Sequence, residues 1–190
     1  MNSDGSAGIA AKILTFLSPG AFLKGVTEME WREVIEHPSL KDLPFKIETN
    51  EWGEIVMTPA TVRHGKYQTR IAILFERLGE GDRVFCECGI QTSDGVKVAD
   101  IAWGSAEFHK RNREDVPALS ESPEIVVEIK SPSESVAEME RKKRLYCEAG
   151  AKEVWFCDKK GDMRFFNPQG ELKRSGLFRE FPDHIDIDVV

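Results

Sequence analysis

The feature that most constrains this 190-residue chain is the run from Glu124 to Asp158. It opens with EIVVEIK, an apolar strand pattern that Ser131-Pro132-Ser133 breaks. Ser135 to Ala149 then reads as a helix, with Ser135 and Glu138 spaced as a capping box and Gly150 as its stop. EVWFCD, from Glu153 to Asp158, is a second apolar strand. Strand, capped helix and strand in this order form a βαβ unit, which requires its two strands to be parallel. An all-helical or purely antiparallel fold is therefore excluded.

The other segments build around that unit. Thr27 to His37 reads as a helix, with Thr27 and Glu30 in capping-box spacing and Pro38 as the stop. Phe45 to Thr49 and Glu54 to Met57 form a hairpin across an Asn50–Gly53 turn, closed by Thr58-Pro59. Tyr67, Ile71, Leu74 and Leu78 place one apolar stripe on a helix from Thr61 to Leu78, and His64 shares its core-facing side. Arg83 to Gly89 and Val96 to Trp103 read as strands joined around Ser93-Asp94-Gly95. A short helix is expected at the start of the polar stretch from Ser105 to Pro123, and a final strand at Met163 to Phe166. The fold class is α/β: a mixed sheet flanked by helices, with an N-terminal helix and a β-hairpin.

Composition narrows the functional classes. Hydrophobic residues at 41% suffice for a core, and the net charge of −7 excludes a simple polycationic nucleic-acid coat. It does not exclude a nucleic-acid enzyme, because a divalent cation can supply positive charge locally. No window approaches a membrane span of roughly 18 apolar residues. Residues 1–25 read as an extension, a short helix or disordered, ahead of one domain over 26–190. Its GIAAKILTFL stretch follows an acidic, polar start unlike a secretory signal. A cytoplasmic location is expected. Cys86, Cys88, Cys147 and Cys157 lack the C-x-x-C spacing of zinc sites and read as buried, reduced thiols, with Cys86 and Cys88 on one strand face. No structural zinc is expected, although a four-cysteine zinc domain is an alternative that metal analysis would separate.

Side chains alternate along a strand, so Glu124, Val126, Glu128 and Lys130 share one face, and Ile125, Val127 and Ile129 face a core. Asp100 is an isolated acid within VKVADIAW, sharing its face with Ala102. Glu48 shares a face with Lys46. Any one of these acids reads ordinarily as a surface group paired with a lysine. Jointly, Glu48, Asp100, Glu128 and Lys130 can converge. Carboxylate oxygens suit Mg²⁺ or Mn²⁺. Such an ion acidifies a coordinated water, and a neighbouring lysine can hold that water or a phosphate oxygen. His64 can orient a ligand carboxylate or touch a phosphate. Arg141, Lys142, Lys143 and Arg144 are the densest basic cluster; Arg141, Lys142 and Lys143 are candidate contacts to a nucleic-acid backbone, against the ordinary reading of a solvated helix face.

Asp100 followed by Glu128-Ile129-Lys130 resembles the PD-(D/E)XK nuclease signature. Val127, Glu128, Ser131, Pro132 and Ser133, then Lys142, Tyr146, Gly150, Trp155 and Asp158, resemble the Uma-two family of restriction-endonuclease-like proteins. Glu48, Gly53, Met57, Pro59 and His64 extend the likeness, which covers about residues 27 to 190. Ala99 departs from it, standing where the signature has proline. The resemblance implies a restriction-endonuclease-like core and a Mg²⁺- or Mn²⁺-dependent endonuclease acting on DNA. It implies Glu48, Asp100, Glu128 and the Ile129 backbone carbonyl as metal ligands, Lys130 as the catalytic lysine, and His64 near the site. The alternative is a catalytically silent nuclease-fold module that binds DNA or regulates. For a homodimer the sequence gives only slender grounds.

Overall fold

A computed structural model describes residues 31–40, 43–79, 84–112, 115–131 and 134–188. The expected extension over residues 1–25 and the Thr27–Glu30 capping box lie outside them. The helix expected there is described only as α1, Trp31–Glu36.

The β1–β2 hairpin pairs Phe45–Thr49 with Ile55–Pro59, antiparallel. Its second strand starts one residue later than the sequence pattern suggests and runs on through Pro59, which sits opposite Phe45 at the hairpin's open end. Helix α2, Val62–Leu78, is capped by Thr61, whose side chain accepts from the His64 backbone N–H. A six-stranded sheet follows, in spatial order β3-β4-β5-β6-β7-β8. Its strands are β3 (Val84–Thr92), β4 (Gly95–Trp103), β5 (Ile125–Ile129), β6 (Glu153–Cys157), β7 (Met163–Asn167) and β8 (Gly170–Leu172). The short β8 has no counterpart in the sequence reading. Helix α3 is Ala106–Arg111, and helix α4, Val136–Glu148, carries the complete Ser135–Glu138 capping box. Strands β5 and β6 are parallel, as a βαβ unit demands; the other neighbours are antiparallel.

The sheet is covered on both faces. Ile125, Val127 and Ile129 pack with Tyr67, Ile71 and Phe75 of α2 and with Trp155. Val126 and Val154 pack on the other side with Met139 and Tyr146 of α4. The residues sharing a face with Glu128 are thus in a second core rather than at a surface, which explains why all five residues of β5 are buried.

Two departures from regular alternation matter for the site. Strand β4 pairs with β5 only through Ile101, Ala102 and Trp103, so its upstream half is unpaired on that side. The hairpin fills the gap with side chains: Thr49 Oγ1 accepts from Val96 N, Glu48 Oε1 accepts from Val98 N, and Lys97 Nζ donates to the Thr49 carbonyl. Gly95 lies so close to this crossing, at φ +73°, that a Cβ there would stand 2.7 Å from Asn50 O and from Thr49 Oγ1. Next to it, Asp94 accepts from Glu51 N and pairs with Lys97 and Arg141, joining hairpin, sheet and α4. The second departure is Glu87, opposite Asp100 across β3 and β4, with φ +52°. Around this pair the two-residue period slips: Phe85 and Cys88, and likewise Ala99 and Ala102, lie three apart yet pack in one cluster. The even alternation assumed for Cys86 and Cys88 therefore fails; Cys88 is buried and Cys86 exposed, and all four cysteines are free. No helix among the described residues is long and apolar enough to cross a membrane.

Candidate active site

The site lies where β4 and β5 part. Asp100 sits at the fork, 1% exposed, and its Oδ2 accepts the Ile129 backbone N–H at 2.6 Å. That bond replaces the ladder bond that diverging strands can no longer make. Glu128, 2% exposed, stands one residue before Ile129 at the end of β5. Glu48, 7% exposed, arrives from the docked hairpin. All three line one cavity of about 610 Å³ with His64, Glu87, Ile129, Arg141 and Lys142.

Buried carboxylates require partners. Here one ammonium serves all three: Lys46 Nζ is 2.7 Å from Asp100 Oδ1, 3.1 Å from Glu128 Oε2 and 3.9 Å from Glu48 Oε1. Glu128 also accepts from Lys142 Nζ at 2.9 Å and from the Tyr146 hydroxyl at 2.6 Å, both on α4. Burial alone would depress the Lys46 ammonium; Glu128, Asp100 and Glu48 outweigh it and hold its pKa well above the usual lysine range. Lys142 is raised for the same reasons, with burial opposing and Glu128 prevailing. Burial would lift the Asp100 carboxyl, yet Lys46 and His64 hold it far below the usual carboxylate range. Burial, reinforced by Glu128, drives the Tyr146 phenol well up, so it remains a donor. The hydrogen bond to Asp100 raises His64, whose Nε2 lies 3.4 Å from Asp100 Oδ1.

A second donor set adjoins the first. One ligand atom each from His64, Glu87 and Asp100 lies within 4.8 Å of the others. The left-handed turn at Glu87 accompanies this placement, and Gln68 Nε2 bridges Glu87 Oε1 and the Asp100 carbonyl.

The structure thus brings Glu48, Asp100, Glu128, His64 and Ile129 together, with the Ile129 N–H engaged by Asp100. It does not bring in Lys130. Strand β5 ends at Ile129, so alternation does not carry to Lys130, whose backbone N–H bonds to the Cys157 carbonyl and which does not line the cavity. Lys46 and Lys142 hold the positions by Glu128 that the sequence reading gave to Lys130. The basic cluster divides. Lys142 is in the cavity, Arg141 pairs with Asp94 and Glu51, and Lys143 pairs with Glu140 while lying over the Phe166 ring on the far side of α4. Sequence reasoning missed Lys46, Glu87 and Gln68 as site residues. For Lys46 there was a signal, its face shared with Glu48.

A family profile described as "Uma2: Putative restriction endonuclease" matches residues 41–184. The chain belongs to this family. Among solved structures, a putative nuclease belonging to DUF820 from Anabaena variabilis ATCC 29413 shares the fold, with a TM-score of 0.59 at 19% identity. The alignment covers 74% of this chain and 87% of that one. No curated protein matches.

Proposed function

We propose that this Uma2-family chain is a Mg²⁺- or Mn²⁺-dependent endonuclease that hydrolyses DNA phosphodiester bonds. One observation carries the reading: Asp100 and Glu128, from strands that diverge at this point, direct carboxylate oxygens at a single cation in an open cavity. The donors are hard oxygens, which fit these ions. Glu48, Asp100 and Glu128 would hold the ion, with the Ile129 carbonyl at the same fork and His64 beside Asp100. A divalent ion there would supply charge neutralisation on the phosphodiester and on the attacking oxygen.

The chain's own groups do the rest. Ile129 N–H fixes Asp100 Oδ2, leaving Oδ1 directed at the cation. Tyr146 fixes Glu128 Oε1, leaving Oε2 to the same centre. The Lys142 ammonium beside Glu128 Oε2 is placed to stabilise anionic phosphate oxygens, the electrostatic role that the sequence reading assigned to Lys130. His64, held by Asp100, is within reach of the same space.

The same contacts admit a second reading. Lys46 already neutralises the acids without a metal, as a silent nuclease-fold module that binds DNA or regulates would permit. A cleavage assay on supercoiled, linear duplex and single-stranded DNA, with Mg²⁺, Mn²⁺ or EDTA, separates the two. Cutting that needs the metal and disappears in Glu128→Gln supports the nuclease; no cutting of any form under any metal supports the silent module.

A further inference from the structure

Three acids meet in the cavity, and among the described residues one group touches all of them. Lys142 reaches Glu128 and Glu134 from the α4 side. Among the described residues, Lys46 alone lies within 4 Å of Glu48, Asp100 and Glu128 together. A divalent ion binds carboxylate oxygens at roughly 2.0–2.6 Å, so one held by these three would stand where the Lys46 ammonium now stands. Two cations cannot share that seat.

The surroundings let the lysine leave. The hairpin is docked by Glu48, Thr49, Lys97 and Asp94, none of which depends on the Lys46 ammonium. A lysine carries its charge on a flexible four-carbon stem. The cavity that Lys46 lines offers the head room to turn into.

We propose that Lys46 is the resident cation of this site and that a divalent ion enters by exchange with it. The ammonium leaves its seat among Asp100, Glu128 and Glu48 and turns into the adjoining cavity, still protonated, as the metal takes the same oxygens. The inference rests on the metal-dependent reading above. It explains how three buried acids persist in the metal-free chain, and it makes metal affinity the difference between two cations competing for one set of ligands. The released ammonium then stands beside the metal, where an anionic substrate would lie.

Calorimetric Mn²⁺ titration of the full chain and of Lys46→Met tests this, with a thermal melt of each. Met keeps the length and removes the charge. The expected result is Mn²⁺ binding at least about tenfold tighter in Lys46→Met, because the competing charge is gone. The metal-free variant should melt lower, with a larger rise on adding Mn²⁺. Equal or weaker Mn²⁺ binding by the variant overturns the exchange while leaving the metal reading standing. No Mn²⁺ binding by either protein overturns both. If Lys46→Met does not fold, the unmodified chain decides the matter by acetylation with an N-hydroxysuccinimide ester, read by mass spectrometry. Lys46 should be protected without metal and labelled several-fold faster in saturating Mg²⁺, with no such rise in Glu128→Gln. Unchanged Lys46 labelling overturns the proposal.

Discussion

Glu128 and Glu153 are buried acids on adjacent parallel strands, 2% and 4% exposed. Their partners differ in kind. Glu153, at the start of β6, accepts the Trp155 indole N–H and the Gly176 and Leu177 backbone N–H groups. These are neutral donors fixed by the chain, and they fasten the segment around residue 176 to the sheet. Glu128, at the end of β5, is held by Tyr146 and by two ammonium groups from a hairpin and a helix, and it opens on a cavity. Burial of a carboxylate is common to both, so it does not mark the site. What distinguishes Glu128 is that it shares one ammonium with two other buried carboxylates at a cavity.

The largest expected effect divides the two acids by activity. Glu128→Gln should lower Mg²⁺-dependent single-turnover cleavage about 10²–10³-fold, the usual loss of one well-placed electrostatic group. Glu153→Gln should stay within about threefold of the parent. Equal losses would dissolve the contrast.

Stability should register the neutral donors of Glu153 and, more weakly, the single hydroxyl donor of Glu128. Glu153→Ala strands two backbone N–H groups and an indole N–H, each costing about 1 kcal/mol or more, so urea unfolding should show a loss of about 3 kcal/mol. Tyr146→Phe, which removes one hydroxyl donor from Glu128, should cost only about 1–2 kcal/mol.

The lysines sharpen the comparison further. Lys142→Met should slow cleavage by about 10²-fold, and Lys130→Met by less than about threefold, since of these two lysines Lys142 is the one that contacts Glu128. A large Lys130 effect measured under the same single-turnover conditions would return the catalytic role to that residue.

The smallest effect is the pH dependence of His64. Its folded pKa lies above the ordinary value near 6.5 because Asp100 stabilises the charged ring. Its contribution to stability is therefore complete below about pH 6.5 and lost as pH rises through the higher folded value. Melting in EDTA should show wild type exceeding His64→Gln by more at pH 5.5 than at pH 9. A gap that grows with pH would refute the Asp100 contact.

The elements are written locally in the chain. The hairpin, α2, the capped α4 and the parallel β5–β6 pair are legible because periodicity, capping and strand-breaking residues act over a few positions. Glu48, Asp100 and Glu128 were also legible, as acids in apolar strands matching a family pattern. The remaining features arise where those short-range rules stop. Strand β5 ends one residue before Lys130, so strand alternation does not extend to that side chain. Glu87 reaches the site because its backbone turns left-handed opposite Asp100, and no periodic pattern announces that. Lys46 meets Glu128 across 82 residues of sequence, and Lys142 turns to Glu128 while its neighbour Lys143 turns to the Phe166 ring. Local composition names which charges are available. Which of them share a buried space is set by how hairpin, sheet and helix dock, because the cost of burying a charge falls on the assembled cluster and not on any one segment.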